Sequence, residues 1–306
     1  VSRLTPRGIR DRRWMNGAIN FARKYQVPVL PVYVKDKNSK LFYLISLLNK
    51  KFSMFLLVHE LMKKRSQTLT LRIGDPIPGS VMKGDTINKY EQTRLLRKHV
   101  YRMAKKKPGI FKTEKTIIHP VNAKLIVKDL SNAELLLGPV NGKKIYSASY
   151  DNAPNVLKEI ARLREVTFRK VGEGTGYKTD FDQFDKYYKH IVVWDEVELE
   201  IAGAYRIGIG SEIIKKFGVQ GLYTATLFDF KPEFEKYLTA GVELGRSFIQ
   251  QKYWRSNILD YLWQGIGKCL SNYSDIKYVF GSVSLSDNYS TDSKNLIVSY
   301  YDKWYN

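Results

Sequence analysis

Apolar and polar positions fall into short segments along this chain, and their spacing predicts its secondary structure. The apolar runs at residues 27–34 and 69–78 predict strands, the first with prolines placed where a ladder donor is dispensable. Residues 41–66 hold two apolar runs split by a polar, basic step and followed by a basic cluster, which predicts helical structure. Residues 86–107 predict a polar helix that ends before Pro108.

Beyond residue 116 the predicted strands and helices alternate. Residues 123–130 and 143–150 are typical of strands, and a helix is expected to begin after Asn152 with Pro154 in its first turn. The mixture predicts an α/β (α+β) fold, with one central, mostly antiparallel sheet and helices on both faces. The remaining predicted elements are a hairpin over 190–210 that turns at 195–197, helices over 231–239 and 257–270, and strands over 242–249 and 276–286.

Charge divides the chain into two units. The formal net charge of the 306 residues is +21. Residues 1–115 carry 27 Lys and Arg against 7 Asp and Glu, a net of +20, whereas residues 116–306 carry 24 against 23, a net of +1. We therefore place one domain, which includes a linker helix, at 1–110 and a second at 116–306. A basic unit of this kind expects an anionic partner, which is a phosphate, nucleic acid, an acidic carrier protein or an anionic membrane.

Other sequence features narrow the class of protein. A single cysteine excludes internal disulfides and fits a reducing compartment. No apolar run approaches the roughly 20 residues of a spanning helix, and we see no signal-like segment. Because the chain begins at Val1, we expect it to have been shortened at its N-terminus. The run at 41–66 is open to two readings: a helix lying among lipid headgroups, or a core helix with a basic end.

The basic stretch from Arg3 to Arg13, followed by the apolar run 27–34, resembles the C-terminal half of a glycerolipid (lysophosphatidate-type) O-acyltransferase domain. The resemblance covers about residues 1–80. That family needs a histidine and an aspartate five residues apart, upstream of these motifs. Here that spacing occurs at His190 and Asp195, inside a predicted strand where they point to opposite faces. The first unit is therefore expected to lack its catalytic pair.

The segment from Val242 to Asn257 places charged residues in a predicted buried strand. Glu243 and Arg246 have an odd offset and would face opposite sides of a regular strand. Gly245 between them permits a β-bulge, which would bring both toward one face. Arg255, Ser256 and Asn257 precede the next helix, where exposed N–H groups favour a phosphate. An ordinary helix cap is the alternative for these three residues.

Several ordered motifs, "EIARLREVTFRKVGEGTG", "FDQFDKYYKHIVVWD", "ELEIAGAYRIG" and "ELGRSF", resemble the N-acyltransferase domain of bacterial ornithine lipid synthases. Acyl-homoserine lactone synthases are relatives of that domain, and many such sequences carry the label "hemolysin". The resemblance covers about residues 118–306 and implies a GNAT-like sheet. In some of these enzymes the domain follows a glycerolipid acyltransferase domain, which is the order found here.

The resemblance implies a role for each motif residue. Glu243 would recognise the amine or remove its proton, with Arg246 as its catalytic neighbour. Arg206 and Arg246 would bind the acceptor's carboxylate or hold acidic side chains, and Asp182 and Asp185 would organise the substrate end. The first-helix motif Arg164, Glu165 and Phe168 would contribute to substrate binding, with Phe168 as a wall of the acyl site. The alternatives are that Asp182 and Asp185 are solvated charges and that Glu243 and Arg246 form a structural ion pair.

The expected function is transfer of a (3-hydroxy)acyl group from acyl carrier protein to the α-amine of ornithine, glycine or a similar amino acid. We expect no bound metal or nucleotide cofactor, and acyl-CoA is less expected as donor because the glycines of the usual CoA loop are missing. The basic unit would hold the enzyme peripherally at the cytoplasmic face of the inner membrane. The alternatives are a lactone synthase, a non-catalytic membrane scaffold and a nucleic-acid-binding module, although no nucleic-acid motif is present.

Overall fold

The computed structural model describes residues 3–5, 8–11, 13–48, 50–65, 67–83, 87–285 and 289–305. The chain forms two compact units, Val1–Thr116 and Ile117–Asn306. Part of the basic stretch predicted to bind a headgroup, Arg7 and Arg12, lies outside the described residues, as does Asn49 between the two apolar runs.

The N-terminal unit is built from short helices and two separate two-stranded ribbons. Its small core contains Ile19, Met82 and Leu96. The strand predicted at 27–34 is shorter than expected and begins at Val32, because the prolines confine pairing before it to an isolated bridge from Val29 to Ile77. The elements are β1 (Arg3–Thr5), β2 (Gly8–Arg10), α1 (Gly17–Tyr25), β3 (Val32–Lys35), α2 (Lys40–Leu48), α3 (Lys50–Lys63), β4 (Thr70–Ile73), α4 (Gly79–Met82) and α5 (Lys89–Ala104).

The β3–β4 ribbon presents an apolar face to solvent. Val32 pairs with Ile73 and Val34 with Leu71, so the four side chains share one face of the ribbon. All four are exposed, between 40% and 62%. In the described parts of the chain, no helix has both the length and the apolar character that crossing a bilayer requires.

The C-terminal unit is a six-stranded mixed sheet flanked by helices, which confirms the predicted fold class. Its strand order is β10-β9-β8-β7-β6-β5; β9 and β10 are parallel, and the other neighbours are antiparallel. The elements are α6 (Ala123–Leu130), β5 (Glu134–Val140), β6 (Lys143–Ala148), α7 (Pro154–Lys170), β7 (Lys189–Asp195), β8 (Glu200–Ile209), α8 (Gly210–Phe217), α9 (Glu235–Thr239), β9 (Gly241–Ile249), α10 (Ile258–Leu270), β10 (Tyr278–Phe280) and α11 (Thr291–Tyr305).

Side chains of alternate residues in the central strands pack into two hydrophobic cores, one on each face of this sheet. On one face, Ile191 and Val193 pack with α10 residues such as Leu262. On the other face, Val192 and Trp194 pack with residues of α6 and α7. Both faces are covered, so β7 consists almost entirely of buried residues.

One prediction for this unit is wrong, and another is confirmed only in part. Residues 123–130 form α6 and not a strand, because Ile126 and Leu130, four residues apart, bury one helical face while Leu125 stays exposed. The Asn122 side chain caps the helix by accepting a hydrogen bond from the N–H of Lys124 at 2.9 Å. The strand predicted over 276–286 is limited to β10.

Candidate active site

A β-bulge interrupts β9 at the point where the sequence places charged residues. The register with β8 moves from the pair Arg206–Gly245 to the pair Ala204–Phe248, so two residues of β9, Arg246 and Ser247, oppose one residue of β8. Arg246 has a left-handed φ of 49°, which is rare for a residue other than glycine. The predicted bulge is confirmed, and its left-handed residue is Arg246.

The bulge faces a cavity of about 220 Å³. β10 pairs with β9 over Gly241–Glu243, short of the bulge, and then continues into the segment that carries Ser282 and Ser284. The cavity therefore lies where two parallel strands cease to pair. Its lining residues are Phe168, Glu173, Tyr223, Arg246, Ser247, Ser282 and Ser284.

Glu243 is buried and is held by three donors. Its carboxylate accepts hydrogen bonds from the Tyr188 hydroxyl, from the N–H of Tyr223 at 3.0 Å and from the N–H of Thr224 at 2.7 Å. It thereby fixes the segment that carries the Tyr223 ring. The Arg246 guanidinium lies 5.1 Å from the centre of that ring, so Glu243 and Arg246 both contact Tyr223, Glu243 through the backbone N–H and Arg246 through the ring.

A buried charge cluster lies beside these residues. Arg164 on α7 makes a bidentate contact with Asp185, from Nη1 to Oδ1 at 2.9 Å and from Nη2 to Oδ2 at 2.6 Å. The same carboxylate contacts Nε2 of His190 at 3.1 Å. All three side chains are at most 1% exposed. Asp185 is therefore the centre of the cluster and not a solvated charge.

Arg206 joins this cluster to the aromatic residues. Its Nη1 donates to both carboxylate oxygens of Asp182, at 2.7 and 2.8 Å, and to Asp185 Oδ1 at 3.2 Å. Its guanidinium carbon lies 5.1 to 5.7 Å from the ring centres of Phe184, Tyr188 and Tyr223. Its Nη2 is buried and has no hydrogen-bond partner among the described residues.

Arg246 completes the cluster on the cavity side. Its Nη1 lies 3.6 Å from Asp180 Oδ2, and its Nη2 lies 3.9 Å from Asp182 Oδ2. Its side chain is 22% exposed, whereas Asp180 is 2% exposed. Among the described residues no salt bridge joins Arg246 to Glu243, so the predicted alternative of a structural pair between them is wrong.

Burial and hydrogen bonds shift the pKa values of this cluster in opposite directions. Burial alone would raise the pKa of Asp185, but hydrogen bonds from His190 and Arg164 outweigh it and hold this pKa well below its usual range. Burial lowers the pKa of His190 although Asp185 opposes it, which favours the neutral imidazole. For Asp180 burial dominates, so its pKa is raised in spite of Arg164 and Arg246.

Glu165 anchors a loop at the cavity. Its fully buried carboxylate accepts hydrogen bonds from Arg169 Nε at 2.6 Å, the N–H of Gly176 at 2.9 Å, and the N–H and hydroxyl of Thr175 at 3.1 and 2.6 Å. The anchored run, 172–176, includes Glu173, which lines the cavity and accepts a hydrogen bond from the Ser284 hydroxyl at 2.8 Å. Glu165 is thus a loop anchor.

The other predicted residues are more dispersed. Phe168 lies in the cavity wall, and its role as a wall of the acyl site stays a prediction. Arg255, Ser256 and Asn257 are exposed at the start of α10. The Ser256 N–H and hydroxyl both donate to the Tyr253 carbonyl, at 3.0 and 2.6 Å, and Asp260 in the first turn places a negative charge at this end. The structure does not bring these three residues into the buried cluster.

Sequence reasoning missed Asp180, Tyr188 and Tyr223. Tyr188 and Tyr223 belong to one apolar cluster, and no motif spacing in the sequence indicates the contacts of their hydroxyl groups and rings. Asp180 could have been found, because it continues the alternate acidic positions that lead to Asp182. His190 and Asp195 form no dyad: His190 contacts Asp185, and Asp195 accepts a hydrogen bond from the Tyr253 hydroxyl at 2.8 Å. The described residues contain no group of His, Cys, Asp and Glu that could hold a metal ion.

The fold and this site point to one class of enzyme. Residues 163–264, from α7 into α10, match the family model described as an acetyltransferase (GNAT) domain. The matched segment lies within the unit that contains the mixed sheet, and a sheet of this kind with helices on both faces is consistent with a GNAT fold.

Two named proteins are similar to this chain. A glycine N(alpha)-acyltransferase of Bacteroides thetaiotaomicron is 34% identical over 203 residues, which cover 62% of this chain and 60% of that protein. A glycine N(alpha)-acyltransferase of Phocaeicola vulgatus is 36% identical over 200 residues, which cover 61% of each. The chain therefore spans about three fifths of the length of these curated relatives. No solved structure matches it.

Proposed function

We propose that the C-terminal unit transfers an acyl group from a thioester to the α-amine of a small amino acid, with glycine as the first acceptor. The observation that carries this proposal is the β9 bulge, which sets Arg246 in the wall of a cavity beside Tyr223, whose N–H donates to Glu243. Two relatives named for glycine N-acylation support the choice of acceptor.

The reaction needs a neutral amine, an acceptor for its proton and stabilisation of the tetrahedral oxyanion. The amine nitrogen forms a bond to the thioester carbonyl carbon, the carbon–sulfur bond breaks, and the sulfur leaves as a thiolate. The amine loses one proton and the thiolate gains one, which gives the amide and a free thiol. A carboxylate offers about four acceptor positions, and three of those of Glu243 are filled by Tyr188, Tyr223 and Thr224. We assign the fourth acceptor position of Glu243 to a water molecule, through which the carboxylate takes up the proton of the amine.

Glu243 serves the amine of the acceptor, and Arg246 serves its carboxylate. Arg246 is the cavity residue with a partly exposed guanidinium, and a guanidinium matches a carboxylate in shape and charge. Its carboxylate neighbours, at 3.6 and 3.9 Å, lie beyond strong hydrogen-bond distance and leave donors for a substrate. We propose that Arg246 binds the acceptor's carboxylate and that Arg206 holds Asp182 in place behind it.

Ornithine is the second acceptor to consider, since it differs from glycine by a side chain with an ammonium group. Glu173 is the carboxylate among the cavity residues, and its Oε1 already accepts a hydrogen bond from Ser284. Use of ornithine would therefore depend on Glu173, whereas use of glycine would not. The small volume of the cavity, about 220 Å³, favours glycine.

We propose acyl carrier protein as the donor. Its phosphopantetheine arm carries one phosphate, whereas CoA carries a pyrophosphate. The loop at Arg255, Ser256 and Asn257 therefore needs fewer hydrogen-bond donors to bind the carrier's arm. The exposure of all three residues supports access of a carrier, although Asp260 weakens this end of α10 as an anion site. An acidic carrier would also be attracted to the basic N-terminal unit.

The N-terminal unit has a proposed role of its own, which is to attach the enzyme to an anionic membrane surface. Its net charge of +20 supports this role, and so does the exposed apolar face of the β3–β4 ribbon. The product of acyl transfer would be an amphiphile that enters such a surface.

The test uses the purified chain with an acyl thioester of either acyl carrier protein or CoA and an equal mixture of glycine and ornithine. Mass spectrometry of the amide products gives donor and acceptor preference together. We expect N-acylglycine from the carrier-bound donor, with product lost in Glu243→Gln. Glu173→Gln should leave glycine use unchanged. Amide formation by Glu243→Gln at the wild-type rate would reject the assigned role of that residue.

A further inference from the structure

A second cavity of the C-terminal unit, of about 530 Å³, lies between the first turns of α7 and the segment 178–181. Pro154, Lys158 and Ala161 contribute one side of it, and Lys178 and Phe181 the other. None of its lining residues lines the cavity at the β9 bulge. Its volume falls in the range of about 300–1,000 Å³ that is common for small-molecule sites.

The lining combines unpaired cations with aromatic and apolar side chains. Lys158 and Lys178 are exposed, and neither forms a salt bridge with any described residue. No aspartate or glutamate stands among the described lining residues, so their charge is not neutralised within the cavity. The rings of Tyr150 and Phe181 lie 5.8 Å apart, and Ile118 adds to the apolar wall. A complementary ligand has an apolar body and an anionic group.

The polar contacts of Asn155 in this cavity are already made, which leaves Lys158 and Lys178 as the charged groups among its lining residues. Asn155, which also lines it, donates from Nδ2 to Asp129 Oδ1 at 3.2 Å and from its N–H to Asp129 Oδ2 at 2.5 Å. That carboxylate also accepts the N–H of Val156 at 3.3 Å and so caps α7. Ligand charge would therefore be recognised by Lys158 and Lys178.

The segment 178–182 connects this cavity to the proposed active site. Lys178 and Phe181 line the cavity, whereas Asp180 and Asp182 belong to the charge cluster of Arg206 and Arg246. The Asp180 N–H donates to the carbonyl of Ala161 on α7 at 3.0 Å, which ties the segment to the helix. A ligand that contacts Lys178 and Phe181 would thus contact the same backbone segment that positions Asp180 and Asp182.

We propose that this cavity is a second ligand site, distinct from the cavity at the β9 bulge, for an amphiphilic carboxylate. Its acyl chain lies along Tyr150, Phe181 and Ile118, and its carboxylate pairs with Lys158 and Lys178. A free fatty acid and an N-acyl amino acid share this chemistry. An N-acyl amino acid is the product of the proposed function. Its assignment as a ligand therefore rests on that function, whereas the existence of the site does not.

The experiment measures binding to the full chain without turnover. Dodecanoate and N-dodecanoylglycine are titrated by isothermal calorimetry, with dodecanol as the uncharged probe. We expect Lys158→Glu/Lys178→Glu to weaken binding of both carboxylates by about 10-fold or more, because reversal of two charges turns attraction into repulsion. The matched control, Lys124→Glu/Lys128→Glu on the exposed face of α6, makes the same charge change and should leave binding unaltered.

Arg246→Gly distinguishes the two cavities. Binding at the second cavity should survive this substitution, and circular dichroism with a melting curve shows that each variant is folded. Equal binding in the wild type and in Lys158→Glu/Lys178→Glu would overturn the proposal, as would loss of binding in Arg246→Gly alone. Binding of dodecanoate without N-dodecanoylglycine would support the site and reject the product as its ligand, whatever the outcome of the acyl-transfer assay.

Discussion

At the scale of single residues, Arg206 illustrates how the site combines charge with burial. Its side chain is 1% exposed and is held by Asp182 and Asp185 on one edge and by aromatic rings around its plane. A buried guanidinium is tolerated when opposite charges offset the loss of its hydration, and Asp182 and Asp185 supply them here. The same cluster leaves Arg206 Nη2 and Arg246 Nε buried without hydrogen-bond partners among the described residues. Of these two residues Arg246 lines the cavity, and an unpaired buried donor is rare enough in a folded protein to require an explanation such as a bound ligand.

Asp185→Asn should destabilise the C-terminal unit by about 3–5 kcal/mol, because it leaves Arg164 and Arg206 without their shared carboxylate. The folded-state pKa of Asp185 is depressed, so its contribution is present above the unfolded pKa of about 3.9 and is lost as pH falls below that value. Urea unfolding at neutral pH and at about pH 3 should show a smaller acid loss in the variant than in the wild type. An equal acid loss in both proteins would contradict this account.

Arg246→Gly separates the side chain from the bulge that carries it. Glycine adopts the φ of 49° without strain, so the variant should be as stable as the wild type or slightly more stable. We expect kcat/KM for the amino acid to fall by about 100-fold, as for loss of one electrostatic donor. Arg246→Lys, the charge-conserving control, should recover part of that loss. Full activity in Arg246→Gly would exclude Arg246 from the acceptor site.

At the scale of elements, the sequence predicts a structure correctly where one local rule determines it. It fails where contacts between distant residues determine the structure. Gly245 between Glu243 and Arg246 was enough to predict the bulge, because few other arrangements bring both charges to one face. The apolar run at residues 123–130 fits the period of a strand as well as that of a helix, and burial of Ile126 and Leu130 on one face decides for the helix. The role of Glu165 as a loop anchor depends on contacts up to 11 residues away, which no spacing rule reveals.

Glu165→Gln should loosen the loop 172–176. The amide keeps one acceptor oxygen but presents an NH₂ to donors such as the N–H of Thr175, so contacts are lost. We expect faster hydrogen exchange across 172–176 and little change in the sheet. Glu159→Gln is the matched control, since Glu159 is a buried carboxylate on the same helix that contacts Arg162 and the N–H of Val121 instead. Unchanged exchange at 172–176 in Glu165→Gln would reject the anchor role.

At the scale of the whole molecule, the uneven charge was readable from the sequence, but the apolar ribbon face was not. Alternation in the runs at 27–34 and 69–78 predicts strands without stating which face is covered. The structure adds that Val32 pairs with Ile73 and Val34 with Leu71 on an exposed face. Charge and exposed apolar surface in one unit are the combination expected of a protein that binds anionic membranes.

Sedimentation with vesicles tests this role. The chain should bind vesicles that contain anionic lipid and should dissociate from them as the salt concentration is raised. It should not bind vesicles of neutral lipid. Val34→Gln/Leu71→Gln should weaken binding to anionic vesicles, because it removes apolar contact without any change in charge. Leu125→Gln/Val127→Gln, at exposed positions of α6, is the matched control and should bind normally. Salt-dependent binding to DNA of equal strength would favour the nucleic-acid alternative instead.

The measurement that tests the central claim most directly is mass spectrometry of lipids from cells that lack aminolipids and express this protein during growth with isotope-labelled glycine. We predict a new N-acyl amino acid lipid that carries the label and disappears in cells expressing Glu243→Gln at the same level. A folded wild-type protein that yields no new amide would contradict acyl transfer to an α-amine, and an unlabelled ornithine amide would contradict the choice of glycine.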